Sequence, residues 1–248
     1  MVGVLPGDGP GGGRDGGEYE HAVGAIAAGL RGAGPAEAPG RLCAVAVDLL
    51  PVDGASVSLR GDSMPLQLAA SGGGAARLAQ LQATLGDGPC HHVLRTGAPV
   101  LARDLVEGAC GDRWPVFTQQ ALGSGVRAVY ALPLGSKAVC VGTLDLYSAS
   151  PGSLTAHQLH VALLVADVMT VALTDLPYDT RDAGEGWLGG LAADHDRVHQ
   201  AVGMIMAQLG VGADEALARL RGDAFAHDRT VLEAAVDVVA RRRRFDTP

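Results

Sequence analysis

Cys90-His91-His92 is the densest run of chemically capable side chains in the sequence. A thiol beside two imidazoles suits three chemistries: a thioether link to a chromophore, a metal site, or a redox thiol. Helical neighbours lie about 100° apart, so His91 and His92 do not both face one pocket. No further metal ligands are identified, and a bilin or a metal is disfavoured. The simpler role of Cys90, a small buried hydrophobe, is preferred. A cysteine-based reductase would need Cys90, Cys110 and Cys140 to converge, with Cys110 in a Gly-flanked loop. The candidate pocket residues are therefore Cys90, His91 and Cys110. No catalytic residue is assigned, because HExxH, P-loop and GxSxG motifs are absent. Gly7 to Gly12 fits GxGxxG formally, but no strand precedes it and Pro10 interrupts it.

A second group lies near the C-terminus: Arg197, Arg219, Arg221, His227, Arg229 and Thr230. Guanidinium groups offer a fork of donors and a stacking plane. Thr230 would cap a helix whose exposed N–H groups could meet a phosphate. Charge alone argues against such a role. Residues 191–248 hold eight Arg, no Lys and nine acids, and the whole chain has a net charge of -8 and a pI near 5.4. A basic footprint is absent. Arg241–Arg244 reads as a cationic helix end.

The elements that must position these groups follow from pattern. Residues 18–50 have a helical period broken at 32–40. Ala55–Arg60 alternates like a strand, and Leu66–Ala70 and Val100–Ala102 are short strands. Ala75–Thr84, Cys90–Thr96 and Trp114–Leu122 read as helices. Ala128–Leu132 and Ala138–Tyr147 are strands joined by a turn at Gly135-Ser136. Thr155-Ala-His-Gln158 is a capping box opening a long apolar helix to about Thr174. Three helices follow: about Leu191–Gln208, one from about Ala213, and one opened by the Thr230/Glu233 capping box. The order predicts an α+β fold with a mostly antiparallel sheet and flanking helices, followed by a small three-helix unit.

The expected organisation is a disordered Gly-rich tail at 1–17, a first domain at 18–175, a linker at 176–190 and a helical domain at 191–248. Apolar residues including Leu191, Val198, Val202, Ile205 and Leu209 make a heptad-like seam. That seam implies a partner helix or a second copy, and a homodimer is expected. Four cysteines without CxxC spacing read as reduced thiols. With no signal-peptide pattern and no uncharged apolar run of about 20 residues, a cytoplasmic protein without membrane contact is expected.

Residues from about Leu191 to Phe245 resemble an ANTAR domain. The resemblance rests on Arg197-Val198, Gln200 to Met206, Ala213 to Ala216, Leu220-Arg221 and the Thr230–Val239 run. Family members often carry Lys where this chain has Val202. Residues of roughly 20–175 resemble a GAF domain through Gly86 to Cys90, Gly97 to Val100 with Asp104-Leu105, Arg113 to Phe117, Gly125 to Val129 and Gly142 to Tyr147. GAF followed by ANTAR is similar to an architecture of actinobacterial regulators. The resemblance implies a GAF-like sensor with an unidentified small-molecule or protein signal. It also implies an output unit that binds hairpin loops of nascent RNA and promotes antitermination, adding Gln200 to the RNA-facing candidates. The alternatives are a protein-interaction adaptor that no longer binds RNA, and a GAF-fold free-methionine sulfoxide reductase.

Overall fold

The computed structural model describes residues 12–62, 64–107, 109–136, 139–176 and 187–246. Five strands form one antiparallel sheet: β1 (Gly54–Leu59), β2 (Leu66–Ala70), β3 (Val100–Ala102), β4 (Ala128–Gly135) and β5 (Cys140–Ser148), in the order β2-β1-β5-β4-β3. The β4–β5 hairpin is the longest pairing, running from Ala128↔Ser148 to Gly135↔Cys140. Gly142 is required where β5 meets β1, since a Cβ there would collide with the Ser58 carbonyl.

One sheet face carries Ala55, Val57, Tyr130, Leu132, Leu144 and Leu146. It packs against α1 (Gly12–Leu30), α2 (Ala38–Leu49) and α7 (Ala156–Thr174). Thr155 caps α7 reciprocally with Gln158: Oγ1 accepts the Gln158 N–H at 3.2 Å, and Gln158 Oε1 accepts the Thr155 N–H at 2.8 Å. Helix α7 is long and apolar enough to cross a membrane by composition, and it carries Val161, Val165, Met169 and Leu173 into this core. The opposite face is covered by α3 (Gly73–Leu85), α4 (Pro89–Thr96), α5 (Ala109–Arg113) and α6 (Pro115–Gly123), around Trp114, Phe117, Val93 and Leu105.

The C-terminal unit consists of α8 (Trp187–Leu209), α9 (Ala213–Ala226) and α10 (Val231–Val239). Gly210, at φ +69, ends α8 in the left-handed region that Gly adopts without steric cost. Asp214 and Glu215 occupy the first turn of α9, where the helix dipole favours acids. Thr230 and Glu233 form the capping box of α10. Val198, Ala201, Ile205, Ala216, Leu220, Ala224, Val231 and Val238 make a separate core.

The structure corrects several expectations. Helix α1 begins at Gly12, inside the expected tail, while residues 1–11 lie outside the described ones. Its C-terminal part is anchored by buried Ala22 and Ile26, and helix propagation from an anchored segment is cheaper than nucleation. Helix α8 starts at Trp187, within the expected linker; residues 177–186 lie outside the described ones. The seam side chains Val198, Val202 and Ile205 are buried in the core of their own chain, with Leu209 packed against it. Their partner is α9 and α10 rather than a second copy. The Leu191 side chain lies outside the described ones. Arg241–Arg244 follows α10 instead of closing it. Arg241 is left-handed at φ +59, and Arg242 and Arg243 reach back to Asp237 and Asp223 at 2.6 and 2.5 Å.

Candidate sensor site and nucleic-acid interface

Period-2 alternation puts Ser56 and Ser58 of β1, and Thr143, Asp145 and Tyr147 of β5, on the sheet face beneath α3 and α4. All are buried, so these hydroxyls and the carboxylate must find partners inside the protein. Gln82 of α3 is the hub. Its Nε2 donates to Asp145 Oδ2 at 3.2 Å and lies 3.4 Å from Tyr147 Oη. Its Oε1 accepts the Cys90 N–H at 2.8 Å, holding the first turn of α4. Tyr147 Oη also lies 3.1 Å from Ser56 Oγ.

Asp145 is 1% exposed, and among the described residues its Oδ1 has no hydrogen-bond partner. Burial pushes its carboxyl up to about 7, against the opposing pull of hydrogen bonds from Gln82, Tyr147 and Thr143. A carboxyl so placed can hold a proton near neutrality or receive one donor from a ligand. Gln82, Asp145 and Tyr147 were not singled out from sequence. Asp145 and Tyr147 lie within the Gly142–Tyr147 stretch that carries part of the GAF resemblance. The one local signal was a polar face in strands with buried flanks.

Of the expected pocket residues, Cys90 and His91 do reach this layer. Cys90 Sγ lies 3.3 Å from Thr143 Oγ1. Burial, reinforced by the Asp145 carboxylate, pushes its thiol well above the ordinary range. That favours the inert thiol over a redox nucleophile. His91 Nε2 donates to the Gln82 carbonyl at 3.0 Å. Burial, then the Arg221 charge, lowers its pKa to about 4, so it is neutral at physiological pH. His92 points the other way, to the Arg113 guanidinium at 2.9 Å, beside Trp114. The two histidines thus face different surroundings, as helical geometry requires. The Cys110 side chain lies outside the described ones.

The RNA-facing candidates separate into two groups. Arg197, Gln200, Arg219 and His227 are exposed. Arg197 pairs with Asp194, and Arg219 with Glu215, each at 2.8 Å. His227 Nδ1 donates to the Asp223 carbonyl at 2.7 Å. The others are engaged within the chain. Arg229 pairs with Asp237 at 2.5 Å and donates to the Glu233 carbonyl. Thr230 is used in its capping box. Arg221 turns toward the sensor and packs on Gly86, where an added Cβ would stand 2.5 Å from Nη1. The start of α10 is not open to a phosphate in this arrangement, because the Val231 N–H donates to Thr84 Oγ1 of α3 at 3.1 Å. Clefts of about 280 and 470 Å³ flank this junction, and residues of both units line each of them.

Fold and site together define an α+β domain joined to a small three-helix unit. A GAF domain model matches residues 34–174, more than half of the chain, and an ANTAR domain model matches residues 191–239. The chain belongs to the GAF domain family and carries an ANTAR domain behind the sensor, the arrangement of GAF–ANTAR regulators. GAF domains are sensors and ANTAR domains are RNA-binding antitermination modules, an architecture typical of regulators rather than enzymes. Among solved structures, the chain is similar to the GAF domain of a phosphoenolpyruvate-protein phosphotransferase from Coxiella burnetii. The identity is 12% and the TM-score 0.50, over 64% of this chain and 94% of that one. It is also similar to free methionine-R-sulfoxide reductase from Neisseria meningitidis in complex with its substrate. There the identity is 13% and the TM-score 0.47, over 70% and 95%. At 12% identity the likeness to the phosphotransferase GAF domain concerns the fold alone. No curated protein matches the chain.

Proposed function

We propose that this protein is a cytoplasmic, signal-responsive regulator that binds hairpin loops of nascent RNA and promotes transcription antitermination, as in actinobacterial GAF–ANTAR proteins. The observation that carries the reading is the order of the two domains, a GAF domain over 34–174 followed by an ANTAR domain over 191–239, and the junction between them supports the coupling. The sensor's α3–α4 turn sits on α9 and on the start of α10, through Thr84 on Val231 and Gly86 on Arg221. A signal read beneath α3 and α4, at Gln82 and Asp145, acts on the same helix that covers the RNA unit. In this reading the closed junction withholds Arg221, Arg229 and Thr230 from RNA. Arg197, Gln200, Arg219 and His227 remain accessible for a first encounter.

The RNA-bound form acts as a homodimer. Val198, Val202 and Ile205 are occupied within the chain, so the dimer contact falls elsewhere. Exposed Tyr19, Val23, Leu163 and Val171 on α1 and α7 support pairing through the sensor helices.

The test is cross-linking of RNA to the full chain followed by sequencing. Enrichment of paired short hairpins upstream of terminators supports antitermination. Absence of enrichment overturns it in favour of the protein-interaction adaptor.

A further inference from the structure

His195 and His199 stand four residues apart on α8, one turn from each other on the same side of the helix. Their rings meet edge to face with centroids 4.2 Å apart, and the two Nε2 atoms are 2.7 Å apart. Asp62, in the turn between β1 and β2, brings a carboxylate to the same point. One ligand atom from each of the three side chains lies within 4.8 Å of the others. The approach is fixed by packing: a Cβ on Gly61 would stand 3.4 Å from His195 Cε1. Met64, from the same turn, packs against the helical core.

Two neutral imidazoles at this distance can share only one proton, as a single N–H···N bond. His195 Nδ1 is in addition buried, with no hydrogen-bond partner among the described residues. When His195 donates that N–H···N bond its Nδ1 lone pair is left unmet, and when it accepts the bond its Nδ1–H is left unmet, so the pair does not satisfy itself in either tautomer. We propose that Asp62, His195 and His199 form a binding site for one divalent transition-metal ion, with zinc the best fit, that clamps the sensor's β1–β2 turn to the output helix. Two imidazoles and one carboxylate suit zinc and its neighbours rather than magnesium or calcium. Bonds of about 2.0–2.2 Å place ligand atoms on one tetrahedral ion roughly 3.3 Å apart. Small side-chain rotations that open the histidine pair reach that spacing from the observed one. The fourth position is left to water or another donor. Because Asp62 belongs to the sensor and both histidines to α8, binding stabilises the closed junction, and loss of the ion loosens it. This inference does not depend on what the output unit binds.

The experiment titrates zinc alone into tag-free full-length protein, with competition by a chromophoric chelator, for wild type, Asp62→Asn and His199→Gln. Both substituted positions are exposed, and circular dichroism checks that each variant folds. Wild type is expected to bind one ion per chain, with X-ray absorption reporting two imidazole ligands and an oxygen shell. Each variant is expected to weaken binding by about tenfold or more. Zinc should raise the melting temperature of wild type but not of Asp62→Asn. Several weak ions per chain, or affinity unchanged in both variants, would overturn the site. Affinity lost in His199→Gln but unchanged in Asp62→Asn would overturn the clamp, leaving only a pair of histidines on one helix.

Discussion

The backbone N–H of Val231 donates to the hydroxyl of Thr84 at 3.1 Å, although the two residues are 147 positions apart. The first residue of the last helix is thus capped by the sensor. Helix starts carry unmet N–H groups and a partial positive charge, which makes them anion sites when open. Here that opening is closed by a threonine, and the start of α10 lies against α3.

Thr84→Val keeps the shape of the side chain and removes the acceptor. The Val231 amide then loses its partner, at a cost of about 1–3 kcal/mol if it stays buried. The junction is expected to open more often, and hydrogen exchange at Val231 should accelerate by about tenfold or more. Unchanged exchange at that amide would show that the hydroxyl does not hold the junction.

Gly86→Val tests the neighbouring contact in two ways. Gly86 has φ +69, which a β-branched residue adopts only under strain, and an added Cβ would stand 2.5 Å from Arg221 Nη1. Urea unfolding should show a loss of about 1–2 kcal/mol, mostly backbone strain, with a smaller steric share because the guanidinium ends a flexible side chain. Arg221→Ala in the same chain is expected to recover the steric share and leave the strain. Equal losses in the single and double variants would mean that the guanidinium does not press on the turn.

Asp145 makes the stability pH-dependent with an unusual sign. Its folded pKa is raised from 3.8 to about 7, chiefly by burial. The folded state therefore binds its proton more tightly than the unfolded state. The stabilisation is full below about pH 4, declines as pH rises, and is lost through pH 7. Asp145→Asn removes this dependence. Its stability relative to wild type should rise between pH 4 and pH 8, by up to about 4 kcal/mol on linkage grounds. A difference between the two proteins that stays flat across that window would mean that the carboxyl titrates normally.

Much of this fold was legible because its signals are local. Both capping boxes, at Thr155/Gln158 and Thr230/Glu233, appear as the sequence pattern implies, and β2 and β3 occupy the expected residues. Long-range choices were not legible. Periodicity identified Val198, Val202 and Ile205 as a buried stripe, but one stripe does not say whether α9 and α10 or a second chain covers it. Period-2 alternation put Ser56, Thr143 and Asp145 on one face, yet nothing in the strands says that Gln82 would descend on that face. Arg221 reads from sequence as an RNA-facing arginine, and only the placement of Gly86, far upstream, shows that it turns to the other domain. The pairing of Asp62 with His195 and His199 was invisible for the same reason.

The thiols offer an independent check on the sensor interior. Burial pushes Cys43 up to about 12 and Cys90 well above its usual range. Thiolate is the reactive form, so both should resist alkylation at pH 8, reacting about a hundredfold or more slowly than a free thiol. Peptide mapping after timed iodoacetamide treatment measures this, with the half-buried Cys140 expected to react before either of them. Early modification of Cys90 would reopen the reductase reading.

The most direct measurement of the central claim is hairpin-RNA binding by the full chain, compared with a chain whose junction is loosened by Thr84→Val. Randomised hairpin loops are selected on each protein, and affinities are read by fluorescence anisotropy. The account predicts that both proteins select hairpin loops, that the loosened chain binds at least about tenfold more tightly, and that Arg219→Ala weakens binding in both. Failure of both proteins to select any hairpin RNA would contradict it.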